Sequence, residues 1–290
     1  MTGVEEAVVV GNDGSEEGYR AVRWAADEAC RLGTGLHIVH AWLWPLFKVD
    51  LDPPAHAPAG AGLRAQAEAV LAESTRRAYE VAPPTLAVST SLVTGDAAPQ
   101  LLRQAGNARM LVVGSRGLGG FTGLLLGSVG VELSAHATCP VVVVRGRSGP
   151  TGPVLAGVDE SEQSAAAALA AAGEARRRNA ELVLLHSWTT PLQGEGGGPI
   201  GYEQLAEAGQ RAGRDLLAKI QESVAEHQPD VSVRLVLADH SPTADLVSAS
   251  KDAQLLVVGS RGVGALRGLL LGSTTHALIH HSDCPVLVHR

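Results

Sequence analysis

The stretch that decides the fold is Gly114–Ser128, GSRGLGGFTGLLLGS. A closely similar stretch, GSRGVGALRGLLLGS, recurs at Gly259–Ser273. Eleven of the 15 positions are identical, and the second stretch begins 145 residues after the first. The runs that precede them also match, VVVGNDGS (8–15) with VLAGVDES (154–161). Solenoid repeats recur every 20–50 residues, so a longer period indicates a duplicated domain. We therefore predict two domains, at residues 1–147 and 152–290.

Each copy alternates short apolar runs with longer, alanine-rich segments. The Val/Leu/Ile runs do not alternate with polar residues, which is typical of parallel strands covered on both faces by helices. We expect two Rossmann-like, doubly wound α/β domains in tandem, each with a five-stranded parallel sheet. In the first copy the predicted strands are Ala7–Gly11, Leu36–Trp42, Leu86–Val93, Met110–Gly114 and Val141–Arg145. The predicted helices there are Glu16–Leu32, Leu63–Val81, Ala98–Gly106 and Ser128–Ala137, and surface loops are expected at 43–62 and 189–201.

Composition and charge exclude several classes of protein. A net charge of −7 argues against a nucleic-acid partner, since phosphate contacts need a basic face. No run approaches the roughly 18 apolar residues that span a membrane, and the first residues do not resemble a signal peptide, so we expect a cytoplasmic protein. Three cysteines without a CxxC pair indicate neither a disulfide framework nor a zinc site, and Cys139 and Cys284 are expected to be buried.

The glycine-rich stretch leaves the fourth predicted strand and enters a helix. Ligands of open α/β sheets bind beyond the carboxyl ends of the strands, and glycines let backbone N–H groups approach them. Ser128, predicted as the helix N-cap, would stand where free N–H groups favour an anion, so the stretch suits a polyphosphate. The spacing is neither that of the P-loop, which needs a lysine, nor that of the dinucleotide fingerprint. It is not a nucleophile elbow either.

The spacing that recurs is glycine, two residues, glycine, nine residues, glycine, serine. It accompanies a GxD sequence after the first strand and a CPV sequence before the fifth. In this the chain resembles the universal stress protein family, specifically its ATP-binding tandem-domain members. The resemblance implies one ATP per domain, which Mg²⁺ can accompany as counter-ion, and a regulatory role in stress or growth arrest. It also implies a homodimer, with domains pairing through the fifth strands. The glycine-rich stretches contain no lysine and no catalytic base, so we expect at most slow ATP hydrolysis.

The resemblance implies two matching sets of nucleotide-binding residues. The first set is Gly11, Asp13, Ala41, Gly114, Ser115, Arg116, Gly117, Leu118, Gly119, Gly120, Gly127, Ser128 and Val129. The second set is Gly157, Asp159, Ser187, Gly259, Ser260, Arg261, Gly262, Val263, Gly264, Ala265, Gly272, Ser273 and Thr274. On this basis Gly117→Ala and Gly262→Ala are expected to weaken nucleotide binding with little effect on the fold.

Several alternatives stay open. Asp13 and Asp159 are each also suited to organising the turn into the following helix. A slow ATPase or nucleotidyl transferase, or a partner-docking module with empty sites, are rival functions. His276 and His280, with His281 and Cys284 nearby, are a weak candidate for a metal site, because the first copy lacks the first two.

The two copies also differ beside the predicted sites. Glu160 stands where the first copy has Gly14, and His240 where it has Gly95. A carboxylate beside a polyphosphate lowers affinity, and histidine does not share the backbone freedom of glycine. We therefore expect the second site to bind more weakly, unless Glu160 points to solvent.

Overall fold

The structure, a computed structural model, describes residues 6–42, 62–117, 127–147, 151–188, 199–263 and 270–290. The chain divides into two compact units, Met1–Arg145 and Gly146–Arg290. Each unit contains a parallel sheet with helices between successive strands, so the predicted α/β class with two Rossmann-like units is confirmed.

Unit 1 has five parallel strands in the order β3-β2-β1-β4-β5. The chain moves outward from β1 to β3 and then returns to the other side of β1 with β4. The strand order therefore reverses between β1 and β4, which is where ligands of such sheets bind. The elements are β1 Val8–Gly11, α1 Glu16–Leu32, β2 Leu36–Trp42, α2 Leu63–Tyr79, β3 Val88–Thr94, α3 Ala97–Gln104, β4 Met110–Gly114, α4 Ser128–His136 and β5 Val141–Val144.

Unit 2 repeats this topology with the order β10-β9-β6-β7-β8, and its reversal falls between β6 and β9. The elements are β6 Val154–Gly157, α5 Glu162–Arg178, β7 Leu182–Ser187, α6 Pro199–His227, β8 Val233–Ala238, α7 Pro242–Ser250, β9 Leu255–Gly259, α8 Ser273–His281 and β10 Val286–His289.

The central strands form the core of each unit. Three consecutive residues of β1, Val8, Val9 and Val10, have no exposed surface. Successive side chains of a strand point to opposite faces, so burial of all three means that both faces of the sheet are covered. Burying a valine or leucine side chain contributes about 1.5–3 kcal/mol, and these runs therefore hold the carboxyl ends of the strands in fixed positions.

Two of the element boundaries that differ from the sequence prediction have a clear local reason. Strand β3 begins at Val88, because the Leu86 N–H donates a 3.0 Å hydrogen bond to the Pro83 carbonyl in a turn. Helix α6 begins at Pro199, inside the predicted loop 189–201, and proline suits the first turn of a helix because it has no N–H to leave unpaired. Residues 43–61 of the other predicted loop lie outside the described residues.

One prediction at the glycine-rich stretch is wrong. Ser128 is the first residue of α4, and the N-cap is Gly127, whose backbone is extended at φ −74° and ψ 146°. Gly272 caps α8 in the same conformation. The N-cap glycines have no side chain that could cap these helices, so among the described residues the first amides receive no side-chain cap.

Two other sequence expectations concern burial and membrane spans. Cys139 and Cys284 are buried, as predicted. Among the described residues, no helix is both long and apolar enough to cross a membrane.

Candidate functional site

A cavity of about 360 Å³ opens where the strand order of unit 1 reverses. The carboxyl ends of β1, β2 and β4 form its floor, and the first turns of α3 and α4 form two of its sides. Nine of the predicted binding residues line it: Gly11, Asp13, Ala41, Gly114, Arg116, Gly117, Gly127, Ser128 and Val129.

Unit 2 has the equivalent cavity, of about 280 Å³, at the ends of β6, β7 and β9. The first turns of α7 and α8 border it. The predicted residues that line it are Gly157, Asp159, Ser187, Gly259, Arg261, Gly262, Gly272, Ser273 and Thr274. Corresponding residues of the two sequence copies thus line corresponding cavities in the two units.

Other predicted residues stand behind the cavities or outside the described part. Ser115 and Ser260 are buried, their N–H groups donate to the carbonyls of Val144 and His289, and neither lines a cavity. Their carbonyls accept hydrogen bonds from the N-cap glycines, so they support the loop. Val263 is exposed and does not line the cavity. Five predicted residues lie outside the described residues: Leu118, Gly119, Gly120, Gly264 and Ala265.

The aspartate of each GxD sequence ties the turn after the first strand of its unit. Asp159 Oδ1 accepts a 2.9 Å hydrogen bond from the Ser161 N–H, and Oδ2 accepts a 3.0 Å bond from the Val263 N–H. Asp13 Oδ1 accepts the matching 3.0 Å bond from Ser15. Asp13 and Asp159 therefore organise the turns after their strands, which was one of the two roles that the sequence left open. The same carboxylates also border the cavities.

Two of the recurring glycines lie in close contact with a carboxylate of their own unit. A Cβ on Gly117 would overlap Oδ2 of Asp13, and a Cβ on Gly262 would overlap Oδ2 of Asp159. The alanine variants would have to displace these carboxylates, so a modest loss of stability is expected beside the weaker binding, and the expectation of little effect on the fold stays a prediction. Gly127 differs, because a Cβ there would meet nothing within 4 Å.

The helices that follow the glycine-rich stretches present uncovered amides to the cavities. Helices α1 and α5 are capped by the hydroxyls of Ser15 and Ser161, whereas α4 and α8 have glycine N-caps and no side-chain cap. The first N–H groups of a helix lack intrahelical partners, and the helix dipole adds positive potential. Each cavity can therefore accept an anionic group at this end.

The other side of each cavity is apolar. The residues that form it were not among those predicted from the sequence. In unit 1 they are Val39, Ala97, Leu101 and Val113, and in unit 2 they are Leu185, Pro242, Leu246 and Val258. Leu101 also lies close to Gly11, and Leu246 to Gly157, where an added Cβ would overlap each leucine. Val113 and Val258 stand one residue before the ends of β4 and β9, and that position was the available signal.

Matching histidines brace the ends of the second strands. His40 Nδ1 lies 2.7 Å from the Asn12 carbonyl, and His186 Nδ1 lies 2.8 Å from the Val158 carbonyl. Both contacts join β2 or β7 to the turn after the neighbouring strand. His186 additionally lines the cavity of unit 2. In the described part of the chain, no group of three or more His, Cys, Asp or Glu residues could hold a metal ion.

The differences between the copies fall partly outside the cavities. Gly14 has a φ of 90° and Gly95 a φ of 122°, but the described non-glycine residues with positive φ are Glu6 and Asn179. Glu160 and His240 therefore make their turns with ordinary backbone. Glu160 is exposed and borders a separate cavity, not the one described above. Its carboxylate therefore gives no reason for weaker binding at unit 2, and a difference in affinity between the two sites stays a prediction.

Comparison with known proteins assigns the family. The model of the universal stress protein family matches residues 6–145 and again residues 151–290. A universal stress protein of Mycobacterium tuberculosis is 36% identical over 298 residues, covering 98% of this chain and 96% of that protein. One of Mycolicibacterium smegmatis is 34% identical over 304 residues, covering 100% and 99%.

Solved structures agree on the fold. The crystal structure of a universal stress protein from Archaeoglobus fulgidus has a TM-score of 0.68 at 19% identity and covers 100% of this chain and 99% of that chain. At this identity the likeness establishes the fold alone. The two family matches and the identity to full-length relatives carry the assignment: this chain belongs to the universal stress protein family.

Proposed function

We propose that each unit binds one ATP and that the chain acts as a cytoplasmic regulator in the response to stress or growth arrest. The observation that carries the binding proposal is the pairing, in both units, of an apolar cavity wall with a helix N-terminus whose N-cap is glycine. Family membership supports the regulatory role.

The two ends of each cavity suit the two ends of a nucleotide. Val39, Ala41 and Leu101 offer an apolar surface for a flat base, and most ligand sites combine such walls with a few polar groups. Across the cavity, the amides at the start of α4 suit phosphate oxygens. Arg116 borders the same space.

The residues fit Mg²⁺ only in a limited way. Each cavity has one carboxylate among its described lining residues, Asp13 in unit 1 and Asp159 in unit 2. Mg²⁺ in nucleotide sites is held mainly by phosphates and water, with one or two protein carboxylates. We propose that it accompanies the phosphates as counter-ion, with the aspartate as its nearest protein ligand.

We propose binding without rapid turnover, which leaves slow ATP hydrolysis or nucleotidyl transfer as the alternative. The family resemblance favours the regulator. Phosphate release measured with saturating ATP and Mg²⁺ decides between them, because a turnover on the order of 1 per second or more would be that of an ordinary enzyme.

A homodimer is also proposed, on the resemblance alone. Sedimentation velocity distinguishes the 29.9 kDa chain from a pair. A monomer at micromolar concentration would contradict the dimer and leave the nucleotide proposal untouched.

Titration calorimetry tests the nucleotide proposal itself. We expect ATP to bind at two molecules per chain and GTP to bind more weakly, because the base wall is apolar and shaped by fixed strands. Equal affinity for GTP would show that the base is not recognised. If the titration releases no heat and equilibrium dialysis also detects no bound ATP, nucleotide binding is contradicted.

A further inference from the structure

The turn after β1 carries a buried asparagine that was not among the predicted binding residues. Asn12 is the middle residue of the GxD sequence of unit 1, and it lines the cavity proposed to bind nucleotide. Its Oδ1 accepts a 2.9 Å hydrogen bond from the Gly14 N–H, and its Nδ2 donates a 2.8 Å bond to Ser74 Oγ of α2. One carboxamide therefore joins the rim of this cavity to α2.

Two more contacts hold this turn against α2. Ser74 has no exposed surface, and its Oγ donates a 2.6 Å hydrogen bond to the Val70 carbonyl one helical turn earlier. Gly14 lies against Val70 itself, since an added Cβ would come within 2.9 Å of the valine Cγ2. Removing the Ser74 hydroxyl would leave the buried Asn12 amide without its partner, which costs free energy.

Unit 2 does not repeat this link. Residues 146 positions apart correspond in this part of the chain, and Val158 stands in place of Asn12. Ile220 stands in place of Ser74, and the two unit 2 side chains are buried and have no hydrogen-bonding groups. A cavity of about 240 Å³, bordered by Glu160 and Ile220, lies between the turn after β6 and α6. These positions therefore provide no hydrogen bond from the rim of unit 2 to α6.

The turn of unit 2 is held by its own first helix, α5. Ser164 Oγ accepts a 2.7 Å hydrogen bond from the Asp159 N–H and donates a 2.9 Å bond to the Asp159 carbonyl. Unit 1 has Gly18 at this position, where an added Cβ would overlap Oδ1 of Asn12. The Asn12 carboxamide thus takes the place that the Ser164 side chain has in unit 2.

We propose that Asn12 and Ser74 are positioning residues of the nucleotide site in unit 1, and that they couple nucleotide binding there to α2. This inference rests on the ATP binding proposed above. Asp13 follows Asn12 on the same turn, so a nucleotide that orders this rim also stabilises the contact with α2. By linkage, α2 held in this position favours the nucleotide. In unit 2 the same event stabilises α5 but not α6.

Hydrogen exchange followed by mass spectrometry tests the coupling in the full-length protein. We expect ATP to slow amide exchange at residues 67–79 of α2 and to leave residues 213–224 of α6 unchanged. Ser74→Ala should abolish the ATP effect on α2. Thr75→Val is the matched control, because Thr75 Oγ1 donates the same kind of bond, 2.9 Å to the Leu71 carbonyl, and among the described residues makes none to the turn.

Variants that carry the unit 2 residues separate positioning from folding, and calorimetry measures their ATP affinity. Asn12→Val alone should weaken ATP binding at unit 1 about threefold to tenfold, which corresponds to the loss of one hydrogen bond. Adding Gly18→Ser and Ser74→Ile completes the pattern of unit 2 and should recover more than half of that loss. The ATP effect on α2 should stay absent in the triple variant, because its rim is no longer bonded to that helix.

Equal slowing of α2 and α6 by ATP, or an unchanged ATP effect on α2 in Ser74→Ala, would overturn the proposal. The turn can also be followed without nucleotide. Exchange at residues 12–15 should be faster in Ser74→Ala than in the wild type and unaffected in Thr75→Val. Equal exchange of the turn in all three proteins would overturn the positioning role, whether or not ATP binds. Calorimetry that detects no ATP binding would instead contradict the proposed function, and the turn would still decide the role of Asn12.

Discussion

The backbone N–H of Val263 donates a 3.0 Å hydrogen bond to Oδ2 of Asp159, 104 residues earlier in the chain. The other oxygen of that carboxylate accepts the Ser161 N–H at 2.9 Å. One side chain therefore joins the turn after β6 to the loop after β9. These two segments are the polar rim of the cavity in unit 2, so the position of the rim depends on this carboxylate.

Asp159→Asn removes one of the two acceptor atoms and places an N–H₂ group against a backbone donor. Hydrogen bonds to a charged group contribute about 1.5–3 kcal/mol, so we expect ATP affinity at unit 2 to fall about 10-fold or more. Calorimetry should then show one strong and one weakened site. The neighbouring Glu160→Gln is the control, because Glu160 is exposed and outside this cavity. An unchanged isotherm for Asp159→Asn would mean that the rim does not depend on the carboxylate.

Gly127→Val should block the cavity of unit 1 without unfolding it. A Cβ at Gly127 meets nothing within 4 Å, and the backbone at φ −74° is open to any residue. Gly117→Ala is the contrasting variant, since its Cβ overlaps the Asp13 carboxylate and should lower the free energy of unfolding by about 1 kcal/mol. Urea unfolding and ATP titration of both variants separate the effects. Equal destabilisation of the two would contradict this assignment of roles.

The secondary structure was largely predictable from the apolar runs. Leu36–Trp42 and Met110–Gly114 are strands with the predicted bounds, because strands buried on both faces leave an uninterrupted pattern. The cavity was less predictable. Its apolar wall brings together Val39 and Leu101, which belong to different elements and carry no local pattern of their own.

Three details of the site depend on three-dimensional contacts. Whether Gly127 or Ser128 caps α4 depends on which of the two adopts extended backbone. Gly117 lies against the Asp13 carboxylate, about a hundred residues away in sequence, and no local pattern shows that contact. The side on which Glu160 lies follows from the turn before α5, and it separates that carboxylate from the nucleotide cavity.

Replacing Ser187 should change the free energy of unfolding. Its Oγ is buried and has no hydrogen-bond partner among the described residues, in a wall where unit 1 has Ala41. Leaving a buried hydroxyl unpaired costs about 1–3 kcal/mol, so Ser187→Ala should raise the free energy of unfolding in the absence of nucleotide. Ala41→Ser should lower it. Urea unfolding measures both, and a loss of stability in Ser187→Ala would show that the hydroxyl has a partner after all.

Acid should destabilise the protein through buried histidines. Burial holds the pKa of His37 below its ordinary value of 6.5, against a smaller opposing effect of a hydrogen bond to Gln104, and burial also lowers the pKa of His289. The unfolded chain therefore binds these protons first, and stability falls as the pH drops below about 6.5. Thermal unfolding between about pH 7.5 and pH 5.5 should show a smaller loss for His37→Gln than for the wild type. Identical losses would assign the acid sensitivity to other groups.

The central claim is that both units hold a nucleotide, and native mass spectrometry with ATP counts the molecules directly. We predict a population with two ATP per chain, which becomes one in Gly127→Val and one in the matching Gly272→Val, and none in the double variant. Retention of both ATP molecules in the double variant, or failure of the wild type to bind ATP under conditions that keep it folded, would contradict the claim.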